Sequence, residues 1–575
     1  MNPKPFNHNY FLGYVNQIFP DSIRIHFPSS VLLNKFIFSG EEFNAGLVGN
    51  YVTIEGENHG FLGKVLEISL PEKERLQLSE KAFQNKEFHP TGKVEILLGF
   101  DYFNPNKVSK GLTAYPNIGS KVFVCSSTFI QSYFKNFGVK VDSINPPVFD
   151  FGVLTTDNNT NIQVSQQALF GRHCAIVGTT GGGKSWTVSR CLEEIMKNGG
   201  KAIVIDATGE YNSFDNLPGT EKPSILTDKS FLHFSNLTVE DVFALLRPAG
   251  QVQQPKLLEA IQSLKLLKCL QSASEDLSEI EVRNNGIYKS KKLKKPYLTY
   301  YNKYISEVEN ERADFDILSL PQQLRNECVY DSDDFGKDIS KWGDVEKNTY
   351  SNCISLMIRT SNLLNSPLFK SIFGFDQSKA DPNELTNSIE RFIAPDNKTS
   401  ILRIGFEKVG FDFQAREILA NAIGKYLLTK SRSNFFKERP IVLFIDEAHQ
   451  YLNKFVKDEY FELTRLNSFD QIAKEGRKYG LFLCLATQMP RDIPQGTLSQ
   501  MGTFIVHRLI NPYDKDAIQN ACSTASVNSL SFLPVLGEGE AILMGVDFPM
   551  PVMLRIKKPS IEPNSKTPQF KIEIS

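Results

Sequence analysis

The chain has 575 residues, with 64 basic against 65 acidic side chains and a formal net charge of −1. Its 41% hydrophobic and 22% charged residues leave enough apolar surface for folded cores and exclude a disordered chain. The near-zero charge excludes a histone-like polycation, and the length corresponds to about three or four domains.

Residues 1–147 read as a β-rich domain. Ser22-Ile23-Arg24-Ile25-His26-Phe27 alternates polar and apolar side chains, as a half-buried strand does. Further strands are expected near Phe11–Val15, Tyr51–Glu55, Phe61–Ile68, Lys93–Phe100 and Lys121–Cys125, separated by Gly, Asn and Pro turn signals. Five or six short strands predict a small barrel, with Pro146-Pro147 as its exit linker.

From about residue 165 apolar strands alternate with helices. The expected strands are 173–177, 202–206, 401–404, 441–445, 481–486 and 503–507, with helices over about 185–197 and 413–430. All-apolar strands between helices predict a parallel sheet covered on both faces, an α/β fold of the RecA-like type. The expected division is a barrel (1–147), a first part of the core (148–240), a helical insertion (241–398) and a second part of the core (399–575). Within the insertion, Leu257, Ile261, Leu264 and Leu267 follow helical spacing, as does the stretch from Tyr350 to Leu364. The tail after Pro559 is expected to be poorly ordered.

The start MNPKPFNHNYFLG has no apolar core of signal-peptide length, and no run of about 18 apolar residues occurs, so no membrane span is expected. Eight scattered cysteines form no C-x-x-C pair, which disfavours a disulfide framework or zinc ribbon and points to a reducing cytoplasm.

Gly178-Thr179-Thr180-Gly181-Gly182-Gly183-Lys184-Ser185 fits G-x-x-x-x-G-K-[ST] between an expected strand and an expected helix. The glycines let backbone N–H groups turn toward phosphate oxygens. Lys184 reaches the β- and γ-phosphates of ATP, the Ser185 hydroxyl binds Mg²⁺, and the helix N-terminus adds its positive dipole end. A chance glycine turn is the competing reading, and the strand-loop-helix context argues against it.

Asp446-Glu447 directly follows the apolar strand 441–445. Asp446 is expected to hold the Mg²⁺ water shell and Glu447 to polarise an attacking water, which makes a hydrolase of a nucleotide binder. The bland alternative is an acidic pair that favours a helix dipole. Residues 446–449 also spell the DEAH of superfamily-two helicases. The Q-x-x-G-R-x-G-R segment those proteins need is absent, however, and there is one P-loop. Gln488, at the end of the strand beside the Walker B strand, is a candidate γ-phosphate sensor. Arg477, just before that strand, is a candidate trans arginine acting on a neighbour's nucleotide.

These pieces, taken in order, resemble the HerA family of hexameric ATPases, relatives of FtsK. The resemblance rests on Gly171-Arg172-His173, the P-loop, Asp206-Ala207-Thr208-Gly209-Glu210-Tyr211 and Ile445-Asp446-Glu447-Ala448-His449. It extends through Glu475-Gly476-Arg477-Lys478, Thr487-Gln488-Met489-Pro490, Leu498-Ser499-Gln500 and Gly537-Glu538-Gly539-Glu540-Ala541. It implies a homohexamer with nucleotide between subunits and DNA in a central channel. It further implies Lys184 and Ser185 on ATP and Mg²⁺, Asp446 behind the metal, Glu447 as catalytic base, Gln488 as sensor and Arg477 as trans finger. Arg172 is a second nucleotide contact by the same resemblance. Thr487 and Met489 depart from the frequent Ser-Gln-Arg-Pro, which removes one cation. The family also implies a separate partner on the barrel, either a NurA-like or other nuclease or a sirtuin-like NAD-hydrolase effector.

Two other functional classes fit parts of the chain. One is an ATP-gated scaffold that assembles an effector, with DNA movement incidental. The other is a secretion or conjugation coupling ATPase, which normally has a membrane anchor. Lys289-Ser290-Lys291-Lys292-Leu293-Lys294-Lys295 is the densest basic run and a candidate phosphate contact, or else a solvated loop. Tyr297, Tyr300, Tyr301 and Tyr304 follow it and read as base-stacking or, more simply, as helix packing.

Overall fold

The computed structural model describes residues 5–38, 40–76, 78, 87–102, 108–109, 114–134, 147–333, 338–452, 455–456 and 464–565. Pro146 of the expected linker lies outside them. Packing divides the chain into two compact units. The first comprises Met1–Asn198 and Phe482–Pro563, the second Gly199–Leu481 and Asn564–Ser575.

In the first unit the N-terminal strands close into a six-stranded antiparallel barrel. Its order is Ser22–His26, Phe11–Ile18, Lys121–Val124, Tyr51–Glu55, His59–Ser69 and Thr91–Asp101, and the last strand pairs back on the first. Closure removes both sheet edges. The inward positions Leu12, Val15, Ile23, Ile25, Val52, Ile54, Val65 and Val94 form one apolar core, which is why the alternation in 22–27 was legible.

The barrel docks on the rest of its unit through polar side chains. Lys64 Nζ lies 2.7 Å from Met553 Sδ and 4.2 Å from the centre of the Phe532 ring. The Ser526 hydroxyl donates to Glu95 at 2.7 Å.

The sheet of the first unit runs in the order Asp157–Ser165, Val148–Leu154, Val552–Ile556, Glu540–Gly545, Thr503–Val506, Cys174–Val177 and Leu481–Thr487, the last strand belonging to this unit from Phe482 on. Only the last three are mutually parallel. The expected strands pair in parallel, and the other four are antiparallel additions beside them. Two of the antiparallel pairings follow from connection length: Leu154 to Asp157 and Gly545 to Val552 are too short for crossovers and allow only antiparallel neighbours.

In the second unit the strands Ile441–Ile445, Lys201–Asp206, Ile401–Gly405 and Ser224–Ile225 pair in parallel, and two short antiparallel pairs, Val282–Arg283 with Gly286–Ile287 and Phe455–Val456 with Thr464–Arg465, lie apart from them. The three long ones are buried along their length, as their apolar sequences require. Between Lys201–Asp206 and Ile401–Gly405 the chain is mainly helical. Its longest helices are Gly250–Ser272 and Lys347–Asn365.

The basic run in this region is not a free cationic patch. Lys289 is buried and pairs with Glu327 at 2.6 Å. Lys291 pairs with Asp344, Lys292 with Glu281 and Lys294 with Asp331. The tyrosines pack: Tyr297 is a buried core residue edge-on to Trp342, and Tyr304 donates to Glu275 at 2.7 Å. Helix packing, not base stacking, is the reading the structure supports.

The tail is held as far as residue 565, since Ile561 N–H donates to Glu193 and Asn564 N–H to the Glu210 carbonyl. Among the described residues no helix is long and apolar enough to cross a membrane.

Candidate nucleotide-binding site

The P-loop follows strand Cys174–Val177 and opens helix Lys184–Lys197, the context its motif demands. Gly181 has φ +75° and Gly183 φ +107°, values an L side chain rarely adopts. Lys184 is 6% exposed at the first helical position. The loop is braced by Thr179 N–H to the Arg508 carbonyl at 3.1 Å and by Gly182 N–H to the Thr179 carbonyl at 3.1 Å.

Sheet register explains what surrounds the loop. Val177 is level with Thr487 on one side and Val506 on the other. The next residue on each strand, Gly178, Gln488 and His507, therefore emerges at the same edge. Thr180 Oγ1 donates to Gln488 Oε1 at 2.6 Å, so the structure brings the expected sensor to the P-loop.

His507 was not singled out from sequence. It is fully buried beneath the loop, with Nε2 2.8 Å from Thr187 Oγ1 and Nδ1 2.9 Å from the Glu540 carbonyl. Burial, with the Lys184 charge adding to it, pushes its pKa down to about 4, so the imidazole is neutral at pH 7. Gln488 was selected as a polar residue ending the strand beside the Walker B strand; the same test applied to the strand beside the P-loop strand would select His507.

Arg172 lies elsewhere in this unit. It precedes strand Cys174–Val177, at the end opposite the P-loop. Its Nε donates to Asp547 at 3.0 Å and its carbonyl accepts from Gly502 at 2.7 Å. It is not brought to the P-loop of its own chain.

The acidic residues belong to the second unit. Asp446 follows Ile441–Ile445 and is 3% exposed, and Glu447 is 8% exposed. Glu447 has φ +47° and ψ +48°, a left-handed conformation that costs a non-glycine residue roughly 1–2 kcal/mol. His449 Nδ1 lies 3.3 Å from Glu447 Oε2.

One strand over, Asp206 is fully buried. Its carboxylate accepts N–H bonds from Thr208, Gly209, Glu210 and Tyr211 at 2.8–3.3 Å and pairs with Arg403 at 3.1 Å. This knot fixes the turn that follows strand Lys201–Asp206. It buries Tyr211, whose phenol is raised well above its usual range by burial and then by Asp446, Glu210, Asp206 and Glu447. The register places Asp206 and Asp446 at the ends of adjacent parallel strands, because Ile205 is level with Ile445.

Arg477 lies in the turn Gly476–Tyr479 just before strand Leu481–Thr487. It is exposed and makes no ion pair among the described residues. Its neighbours Lys474 and Glu475 are paired with Asp470 and Arg432.

Comparison with known proteins accords with this arrangement. Residues 149–406 match the profile described as "Helicase HerA, central domain", and residues 436–565 match "Helicase HerA-like C-terminal". A probable helicase of Methanocaldococcus jannaschii is 24% identical over 476 residues, covering 77% of this chain and 75% of the relative. The DNA double-strand break repair helicase HerA of Pyrococcus furiosus is 24% identical over 448 residues, covering 76% and 73%. Among solved structures, the bacterial conjugative coupling protein TrwB aligns over 76% of this chain and 94% of its own at 13% identity, with a TM-score of 0.43. The two matched profiles span most of the chain in the family's order, and the protein belongs to the HerA helicase family.

Proposed function

We propose that the protein is the ATP-hydrolysing subunit of a homohexameric DNA translocase, working with a separate nuclease or NAD-hydrolysing effector. The observation that carries the reading is the P-loop itself: two glycines at positive φ, a buried Lys184, and Gln488 bonded to Thr180.

In this reading the loop N–H groups and Lys184 bind the phosphates of ATP. Ser185 supplies a hydroxyl oxygen at the helix start, a donor that suits Mg²⁺, and the family resemblance assigns the Asp446 carboxylate to the same ion. When bound, that ion neutralises charge on the β- and γ-phosphates. Glu447 takes a proton from the attacking water, and its left-handed backbone fixes where the carboxylate points. Gln488 reports the γ-phosphate to the strand it ends. Arg477, exposed and making no ion pair among the described residues, completes a neighbouring subunit's site, so hydrolysis depends on assembly.

Near-neutral net charge fits a ring that grips DNA from inside. Six copies total only about −6, and phosphate contacts need only line the channel. The partner docks on the barrel domain, where the turn Ser30–Leu33 and the strand Lys35–Phe38, between the barrel strands Ser22–His26 and Tyr51–Glu55, expose Val31 and Ile37. Co-purification of the partner by Ile37→Asp at the wild-type level would contradict that docking site.

The experiment that tests the catalytic reading is ATP hydrolysis by Glu447→Gln. Loss of turnover with ATP still bound is expected, and wild-type turnover would overturn the base assignment.

A further inference from the structure

The P-loop rests on one side chain. A Cβ on Gly178 would lie 2.6 Å from His507 Cβ, one on Gly182 3.4 Å from the same atom, and one on Gly183 3.3 Å from His507 Cε1. Three of the loop's four glycines therefore face His507. The Cβ of His507 fills the space beside Gly178 and Gly182, and the edge of its ring lies beside Gly183 together with Gly539.

Both ring nitrogens are engaged, and the chemistry of the partners fixes the tautomer. The Glu540 carbonyl can only accept, so Nδ1 carries the hydrogen. Nε2 then bears a lone pair and accepts from the Thr187 hydroxyl at 2.8 Å. That hydroxyl has one hydrogen, and the Gly183 carbonyl at 3.1 Å competes for it. The ring thus ties Thr187, in the first turn of the P-loop helix, to the end of strand Thr503–Val506.

The turn that supplies the Glu540 carbonyl also touches the loop. Gly539 N–H donates to the Gly182 carbonyl at 3.3 Å, and Gly539 Cα would lie 3.0 Å from a Cβ on Gly183. The Glu540 carboxylate holds this turn, accepting from Gly537 N–H at 2.8 Å and from Arg555 at 2.9 Å. His507 is the link between that braced turn and the P-loop helix.

We propose that His507 is a positioning residue for ATP. Through Thr187 and the three glycines it sets the curvature of the P-loop without touching the nucleotide. The proposal rests on the P-loop being the nucleotide site. It assigns His507 to binding, so its loss should raise the ATP dissociation constant and KM while kcat at saturating ATP is kept.

The test compares ATP affinity, KM, kcat and melting temperature in the full chain for wild type, Thr187→Val, His507→Asn, His507→Gln and Lys184→Ala. Asn places an amide N–H near the Nδ1 position and keeps the Glu540 bond, whereas Gln places an acceptor near Nε2 and keeps the Thr187 bond. The expected result is a rise of about 10-fold or more in dissociation constant for Thr187→Val and His507→Asn, kcat within about twofold of wild type, and a smaller rise for His507→Gln. Thr187→Val retains the shape of the side chain and keeps the test valid if the histidine variants fold poorly. Wild-type affinity in Thr187→Val and His507→Asn, with binding lost in Lys184→Ala, overturns the positioning role and leaves the nucleotide site standing. Equal binding by wild type and Lys184→Ala overturns both.

Discussion

Thr180 and Gln488 are joined by a 2.6 Å side-chain hydrogen bond between the P-loop and the end of the neighbouring strand. The bond holds the Gln488 carboxamide at the loop, with its carbonyl oxygen toward Thr180. Gln488→Ala should lower kcat by about 10–100-fold with a smaller change in KM, as expected for a donor used mainly in the transition state. Thr180→Val should lower kcat several-fold by releasing the glutamine. Steady-state ATPase measurements check both, and an unchanged Thr180→Val rate would show that the bond does not orient Gln488.

Gly183 has a left-handed backbone, and a Cβ added to it would lie 3.0 Å from Gly539 Cα. Gly183→Ala should therefore abolish ATP binding, whereas Gly496→Ala, at a position with open space and no positive φ, should bind as wild type. Titration with a fluorescent ATP analogue measures both. Tight binding by Gly183→Ala would mean that the loop adopts another curvature to hold phosphate.

Arg477 and Lys184 are predicted to serve one ATP from two subunits. Each single alanine variant should be inactive. In randomly mixed rings roughly a quarter of interfaces combine an intact Lys184 with a neighbour's intact Arg477, so ATPase activity should return in part. Activity retained by Arg477→Ala alone would contradict the trans role, as would mixtures that stay inactive.

Lys64 gives the barrel a pH signature. Burial lowers its pKa to about 8, against a smaller opposing effect of Glu95. The folded state therefore sheds this proton at lower pH than the unfolded chain does. Below pH 8 both states carry the charge and the folded state bears its desolvation cost. Between about pH 8 and 10.5 the unfolded chain binds more protons, so stability rises with pH by up to roughly 3 kcal/mol. Denaturant unfolding of wild type and Lys64→Met across that range should show wild type gaining on the variant. Parallel curves would mean that Lys64 is solvated.

What the sequence revealed and what it concealed follow from the range of each interaction. Strands 51–55 and 441–445 were legible to the residue because a short apolar run ends on a charged or turn residue. The P-loop and Asp446-Glu447 were legible because their chemistry is contiguous. The hairpin Val148–Leu154 and Asp157–Ser165 was hidden by the polar stretch Asp157-Asn158-Asn159-Thr160-Asn161, which reads as loop. It is a strand because Val148–Leu154 offers it a ladder. His507 was hidden because its role depends on which strand lies beside Cys174–Val177. The lysines of 289–295 read as a phosphate contact or a solvated loop, and neither reading shows their ion pairs, because Glu327, Asp344, Glu281 and Asp331, which pair with four of them, are distant in sequence or divided among other segments. Arg172 matched its motif in position, and only the three-dimensional arrangement shows it paired with Asp547 at the far end of the strand.

The most direct test of the motor reading is displacement of a third strand from a DNA triplex by the assembled protein. The account predicts ATP-dependent displacement by wild type, and none by Glu447→Gln or with a non-hydrolysable ATP analogue. Robust DNA-stimulated ATP hydrolysis by wild type without displacement from duplex or partly opened substrates would contradict translocation. It would favour a ring that uses ATP to assemble or restrain an effector.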